Sequence, residues 1–319
     1  MPSGEDSLIA RYFKPIATDA GAFGLDDDAA ALKAQGEDVV VTVDAVVEGV
    51  HYLPDDPPDT IARKALRVNL SDLAAKGATP AGFVLTLALR NVDEGWLKPF
   101  AQALGEDATA FACPLLGGDT VSTPGPMMIS VTAFGRVPTG KMVHRSGARP
   151  GDRVVVTGTI GDAVLGLDIL KGGDAATREA LIGRYRVPQP RNALALAVRD
   201  HANASMDVSD GLAGDLAKLC AVSGVSAAID VSAIPLSSAA AGLVKQGAAT
   251  IETLISGGDD YEVLCAIPEA RFEAFAVAAR QAGIAVTSIG AFVAGPAPPA
   301  FLDAQGRELV LTRRSWSHF

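Results

Sequence analysis

The chain has 319 residues, 49% of them hydrophobic and only 20% charged, which excludes an intrinsically disordered protein and leaves room for two domains of roughly 140 to 170 residues. Twenty-seven basic against thirty-seven acidic side chains give a formal net charge of −10, so the surface as a whole repels nucleic acid and anionic membranes, and an anionic ligand must be met by local cations or metal ions. Three dispersed cysteines, Cys113, Cys220 and Cys265, and four histidines without an H-E-x-x-H pattern argue against a disulfide framework and against zinc.

The opening "MPSGEDSLIARYFKP" carries acidic residues and a proline where a signal peptide needs a basic and then an apolar stretch. No apolar run approaches the roughly 20 residues of a membrane span, so a cytoplasmic protein is expected. A helix is expected over Ser7 to Ile16, then an acidic loop, "LDDDAA", then a strand in the β-branched run "EDVVVTVDAVV". Asp59 to Gly77 reads as a helix, with Asp59 as N-cap and Gly77 as its stop. "GFVLTLAL" reads as a strand, Glu94 to Ala112 as a helix and "MMISVTAFGRV" as another strand, closing a first α/β domain over residues 1–138.

The Gly-, Pro- and Arg-containing stretch "PTGKMVHRSGARPGD" marks the boundary, and the second domain spans residues 149–319. It begins with the strand "RVVVTG", continues through helices to Arg199, and then presents "ASMDVSDGLAGDL", a buried strand running directly into a helix. Further strands are expected in "AAIDVSAI", "YEVLCAIP" and "VTSIGAFV", with an alanine-rich helix over Glu269 to Ala282.

"GRVPTGKM" approximates a P-loop, but Met142 replaces the hydroxyl residue and no helix follows, so it reads as a turn between domains. "TGTIGDAVLG" lacks the glycine order of a dinucleotide site. The aspartates carry the stronger signal: Asp26, Asp27 and Asp28, then Asp44, Asp72, Asp119, Asp207 with Asp210, and Asp259 with Asp260 recur at junctions between apolar elements. A single aspartate there is ordinarily a cap or turn former. Asp72 is different, because it lies inside the apolar helix "ALRVNLSDLAAKGA" and requires a cation, for which Lys76 at i+4 is one candidate. Acidic clusters on separate elements, without matching cysteines or histidines, suit magnesium holding a polyphosphate. "DDDAAALKAQGE" lacks the ligand alternation and central glycine of an EF-hand.

Taken together, "LDDDAA", "TVDAVVEGVHY", "KALRVNLSDLAAKGA", "GGDT", "HRSGARPGD", "MDVSDGLAGDL", "SGGDDYEV" and the terminal "WSHF" resemble, in this order, the thiamine-monophosphate kinases. That family belongs with aminoimidazole ribonucleotide synthetase, selenophosphate synthetase and a hydrogenase maturation factor. The resemblance implies a two-domain aminoimidazole ribonucleotide synthetase-like fold, with an N-terminal α/β domain whose sheet dimerises and a C-terminal α+β domain, and transfer of a phosphoryl group from ATP to thiamine monophosphate. It implies magnesium ligands at Asp28, Thr42, Val43 (by its main-chain carbonyl), Asp44, Asp72, Asp119, Asp207 and Asp210. It also implies an ATP site at Gly118, Asp119, Arg145 and Ser209, contacts to thiamine monophosphate from His51, Asp259 and Trp316, and catalytic roles for Asp210 and Arg145.

Three motifs depart from the family pattern: Asp26 replaces a glycine, "GGDTVSTPG" lacks an arginine, and "TVDA" replaces a hydroxyl-rich run. The acceptor is a phosphate monoester with a second pKa of about 6, so it is already anionic and needs no general base. Two other readings stay open on sequence alone, an ATP-dependent cyclo-ligase of the same superfamily and a non-catalytic nucleotide sensor. A selenophosphate synthetase fits less well, since the first cysteine is Cys113, and the maturation factor's C-terminal cysteine is replaced by "SHF".

Overall fold

A computed structural model describes residues 23–24, 26–28, 30–34, 36–172, 178–313 and 315. The helix expected over Ser7 to Ile16 lies outside them. Two mixed sheets are present. The first is built from β1 (Ala30–Ala34), β2 (Glu37–Val47), β3 (Thr79–Leu89), β4 (Leu115–Ser122) and β5 (Met128–Pro138), in the order β1-β2-β5-β3-β4. Only the β3–β4 pairing is parallel. In β2 alternate residues point inward, so Asp38, Val40, Thr42 and Val46 are buried while Val43 and Ala45 face out.

The second sheet runs β11-β8-β10-β6-β9-β7, where β6 is Arg153–Thr157, β7 Ala204–Val208, β8 Val225–Asp230, β9 Glu262–Ile267, β10 Val286–Ala294 and β11 Ala300–Leu302. Every residue of β7 and β9 is buried, as the continuous apolar runs in sequence imply. The expected strand "AAIDVSAI" stops at Asp230 and becomes a 3-10 turn, whose amide at Ser232 the Asp230 carboxylate accepts from.

One helix joins the two sheets. Helix α1 (Pro58–Ala75) buries thirteen of its eighteen residues, so it has no solvated face to speak of and must be covered on both sides. It packs on β2, β3 and β5 of the first sheet and on β7 and β9 of the second. Asp59 is not its N-cap: Pro57 occupies that position and Pro58 opens the helix, which leaves Asp59 in the first turn, where a negative charge suits the helix dipole. The chain leaves α1 at Lys76 and Gly77, as expected from the sequence.

The remaining helices are α2 (Glu94–Ala110), α3 (Asp162–Leu170), α4 (Arg178–Arg186), α5 (Ala195–His201), α6 (Leu212–Ser223), α7 (Ser238–Lys245), α8 (Ile251–Ser256) and α9 (Glu269–Gln281). Strand β4 is not announced by the sequence, because Gly117 and Gly118 lower strand propensity across its middle. All eight of its residues are exposed, with Leu116 at 61%. No helix among the described residues is long and apolar enough to cross a membrane.

Candidate active site

The carboxylates of Asp28, Asp72 and Asp207 converge where α1 meets both sheets. One oxygen from each lies within 4.8 Å of the others. Asp28 comes from the loop before β1, Asp72 from the buried C-terminal half of α1 and Asp207 from the end of β7, so three separate elements build the cluster. The Thr42 hydroxyl, on the inward face of β2, donates to Asp72 Oδ2 at 2.5 Å. Asp44 follows two residues later on the same face, as the strand period requires.

Burial is the first cause that raises Asp72, Asp207 and Asp44. It holds Asp72 well above the usual carboxylate range, with the charges of Asp207 and Asp44 adding to it. Asp207 is pushed up to about 7 by burial and by Asp215 and Asp44, and Asp44 to about 6 by burial and by Asp210, although a hydrogen bond with Asp72 opposes the latter shift. Asp28 Oδ2 is buried without an aligned hydrogen bond, even though the Lys76 ammonium stands 3.0 Å away. Carboxylates so crowded, with one oxygen left unbonded, fit a hard divalent cation with oxygen ligands.

Lys76 does not pair directly with Asp72. Its fully buried ammonium reaches past it to Asp27 and Asp28, at 2.8 and 3.0 Å, and donates to the Ser205 carbonyl at 2.8 Å. Asp27 also accepts from the amides of Asp28 and Arg145. Burial alone raises its pKa, but His144, Lys76 and the Arg145 amide outweigh this and hold it below the usual range. Asp27 thus fixes the loop, and Asp28 is left to point into the cluster. The guanidinium of Arg145 bonds Asp28 Oδ1 and brings a permanent positive charge to the rim. Beside it, Phe23, Asp26, Asp27, His144, Ser146 and Val222 line a cavity of about 450 Å³, with Phe23 edge-on to His144.

The motif "MDVSDGLAGDL" resolves into β7, a tight turn and α6. Asp215 is not a ligand candidate: its buried Oδ2 accepts the amides of Ser209 and Asp210 at 3.0 and 2.9 Å and so sets the turn. Asp210 then projects with its Oδ2 2.5 Å from Lys218 Nζ, which also touches Asp215. This turn lies backbone to backbone on the loop 257–261. A Cβ at Gly258 would come 2.4 Å from the Ser209 carbonyl, and one at Gly211 (φ 105°) 2.7 Å from the Gly257 carbonyl. Both contacts require glycine.

The same loop carries Asp259 and Tyr261 with φ of 70° and 50°, a conformation that side chains rarely adopt. The Asp259 amide donates to the Ser209 carbonyl and its Oδ2 meets Lys64 Nζ at 2.8 Å. Across the domain seam, His51 sits in the turn after β2, where its Nδ1 accepts the Val47 amide at 3.1 Å. In the neutral ring the proton is therefore on Nε2, which is a donor.

Not all expected residues meet in one chain. Gly118 and Asp119 lie on β4, separated from Asp44 by β5 and β3, about 14 Å at the usual strand spacing, and Asp119 is exposed. Val43 points its side chain outward, 61% exposed, while its backbone belongs to the β2–β5 ladder. Trp316 lies outside the described residues. The segment leading to it is tied down by the Glu252 carboxylate, which accepts from the amide and hydroxyl of Thr312, and by Ser315, whose hydroxyl donates to the Asp210 carbonyl at 3.4 Å.

Sequence reasoning overlooked Lys64, Lys218, Tyr185 and His144. For Lys64 a signal existed: Lys64, Val68, Asp72 and Lys76 recur at i+4 along α1 and its C-cap, so three charges share a buried face.

The AIR synthase related protein N-terminal domain matches residues 26–137, and its C-terminal domain matches residues 149–302. The chain is 43% identical over 323 aligned positions to the thiamine-monophosphate kinase of Caulobacter vibrioides, covering 99% of this chain and 91% of that protein. It is 39% identical to the enzyme of the same name from Escherichia coli K12, covering 100% and 99%. It is also similar to the structure of AaThiL complexed with AMPPCP and TMP, with a TM-score of 0.82, 30% identity, and 94% and 97% of the two chains covered. Matched in both halves and along its full length, with its acids gathered at the seam between two sheets, the chain belongs to the AIR synthase related family and, within it, to the thiamine-monophosphate kinases.

Proposed function

We propose that the acid cluster at the α1 seam is where this chain transfers the terminal phosphoryl group of ATP to thiamine monophosphate, giving thiamine diphosphate and ADP. The chain is an ATP-dependent kinase of thiamine biosynthesis by its family. The observation that carries the site is the convergence of Asp28, Asp72 and Asp207 within 4.8 Å. Asp28, Asp72 and Asp207, with Thr42, Asp44, Asp210 and the Val43 carbonyl, would hold magnesium, which would supply the neutralisation that two polyanions need to meet.

The chain's own residues do the remaining work. Arg145 spreads a fixed positive charge over the phosphates at the rim. Asp215 fixes the turn at Ser209 and Asp210, so the Ser209 backbone and the Asp210 carboxylate are preset against the nucleotide. The cavity beside Phe23 and His144 is of a size to take the nucleotide base. His51 Nε2, Asp259 and Trp316 take the acceptor, the aromatic face stacking on its cationic rings. No side chain needs to remove a proton, because the attacking oxygen is already anionic.

Residues 1–138 form the metal, nucleotide and dimerisation domain in this reading, and residues 149–319 complete the pocket. The exposed edge strand β4, with Leu115, Leu116 and Val121, supports a homodimer. Gly118 and Asp119, remote from the cluster of their own chain, then serve at the cluster of the other copy. A cytoplasmic location accords with three buried cysteines in the thiol form. The test is a coupled assay of ADP release with and without thiamine monophosphate. Release that depends on thiamine monophosphate is expected, and release indifferent to it contradicts the reading.

A further inference from the structure

Lys64 occupies a position no part of the phosphoryl-transfer chemistry explains. It lies on α1, two turns before Asp72, and is 2% exposed. A lysine buried to this degree is rare without partners, because desolvating its ammonium costs several kcal/mol on an order-of-magnitude scale. The partners are specific. Nζ donates to the His51 carbonyl and to Asp259 Oδ2, each at 2.8 Å, and stands 3.8 Å above the centre of the Tyr185 ring. Tyr185, 2% exposed on α4, turns its hydroxyl to the same His51 carbonyl at 3.2 Å. Burial first, then the charges of Asp259 and Asp56, raise the Tyr185 pKa, so it stays a neutral donor.

This arrangement ties together two segments 208 positions apart in sequence. The His51 turn belongs to the first sheet, the Asp259 loop to the second, and both are clamped on one ammonium. The Asp259 loop needs such a clamp, since it holds two side-chain residues at positive φ. With Oδ2 engaged by Lys64 and Oδ1 accepting from the Tyr261 hydroxyl at 3.3 Å, the carboxylate has a fixed orientation. Its side chain keeps 25% exposure, so one edge remains open to a ligand.

We propose that Lys64, seated on Tyr185, is a positioning residue for the phosphate acceptor: it fixes the distance and angle between the His51 turn and the Asp259 carboxylate, and so sets affinity for thiamine monophosphate without touching ATP. The inference rests on the reading of His51 and Asp259 as acceptor-side residues, and the experiment separates the two claims.

The variants are Lys64→Met, Asp259→Asn and the double variant, assayed for both substrates. Lys64→Met keeps the stem and removes the charge. The His51 carbonyl retains the Tyr185 hydroxyl, and partly exposed Asp259 can rehydrate, so folding should survive. The expected result is a KM for thiamine monophosphate raised about tenfold with the KM for ATP within about twofold, and a double variant no worse than Asp259→Asn alone. Equal effects on both substrates, an unchanged KM for thiamine monophosphate, or additive losses in the double variant overturn the proposal. If Asp259→Asn itself leaves that KM unchanged, the acceptor-side reading fails first and this inference with it. Should Lys64→Met not fold, Tyr185→Phe decides. A rise of about threefold for thiamine monophosphate alone supports the clamp, and no change sinks it.

Discussion

Two groups of buried acids stand close together in this molecule and have opposite surroundings. Glu262, fully buried at the start of β9, receives the guanidinium groups of Arg184 and Arg191 and the hydroxyl of Thr157. Its neighbour Asp260 takes the Gly161 amide on both oxygens. Glu262 is neutralised from within, while Asp260, which burial also raises well above the usual carboxylate range, is held by that amide and the nearby charge of Arg184. Asp72 and Asp207 are equally deep, yet Asp72 receives the Thr42 hydroxyl while its strongest electrostatic neighbours include two further carboxylates. An acid neutralised by its own chain is scaffold. Acids left facing one another must take up a proton or a cation from outside, and that contrast separates the candidate active site from its support.

The contrast can be broken most severely at Asp72 and Asp210. Replacing either with Asn is expected to lower turnover by about a thousandfold or more while circular dichroism and melting stay near wild type. A variant with near-wild-type kcat at limiting magnesium would remove the ligand assignment. The reverse is expected at the scaffold: Glu262→Gln strands two arginines and should cost about 3 kcal/mol of stability, measured by denaturant titration, with the folded fraction still active. A stable but inactive Glu262→Gln protein would mean that the two groups are not distinct.

The pH dependence sharpens the same comparison. Asp207 has a raised pKa of about 7 in the folded state against roughly 3.9 in an unfolded chain. Between these values the native state holds a proton that the unfolded state has released, so without magnesium the contribution of this group to stability falls as pH rises from about 4 to about 7. Asp207→Asn does not titrate there, and its melting temperature is expected to gain on wild type across that window. Magnesium should close the gap for wild type alone. A gap that does not vary with pH would show that Asp207 is not held protonated by its neighbours.

A smaller effect is expected at the C-terminus. Trp316→Ala should raise the KM for thiamine monophosphate several-fold and more than that for ATP, as loss of a cation-π contact implies. Equal changes for both substrates would contradict the stacking role.

Much of this was legible before any coordinates. Among the described residues the apolar periodicity placed eight of eleven strands, missing β1, β4 and β11, together with the long helices, and the improbability of an aspartate inside an apolar helix singled out Asp72. The chemistry of oxygen-only ligands pointed to magnesium. What escaped the sequence was pairing at a distance. By its i+4 spacing Lys76 was one candidate partner for Asp72, but the fold brings Asp27 and Asp28 to it from more than 40 residues away. Strand β4 hid behind its glycines, and with it the displacement of Gly118 and Asp119 from the cluster. For Asp215, spacing alone does not reveal that the side chain turns back to its own backbone.

Magnesium titration calorimetry in the presence of a non-hydrolysable ATP analogue, on wild type, Asp207→Asn and Glu262→Gln side by side, tests the account most directly. The account requires that Asp207→Asn lose most of the magnesium affinity while folded Glu262→Gln keeps it. Equal affinity in wild type and Asp207→Asn would contradict it.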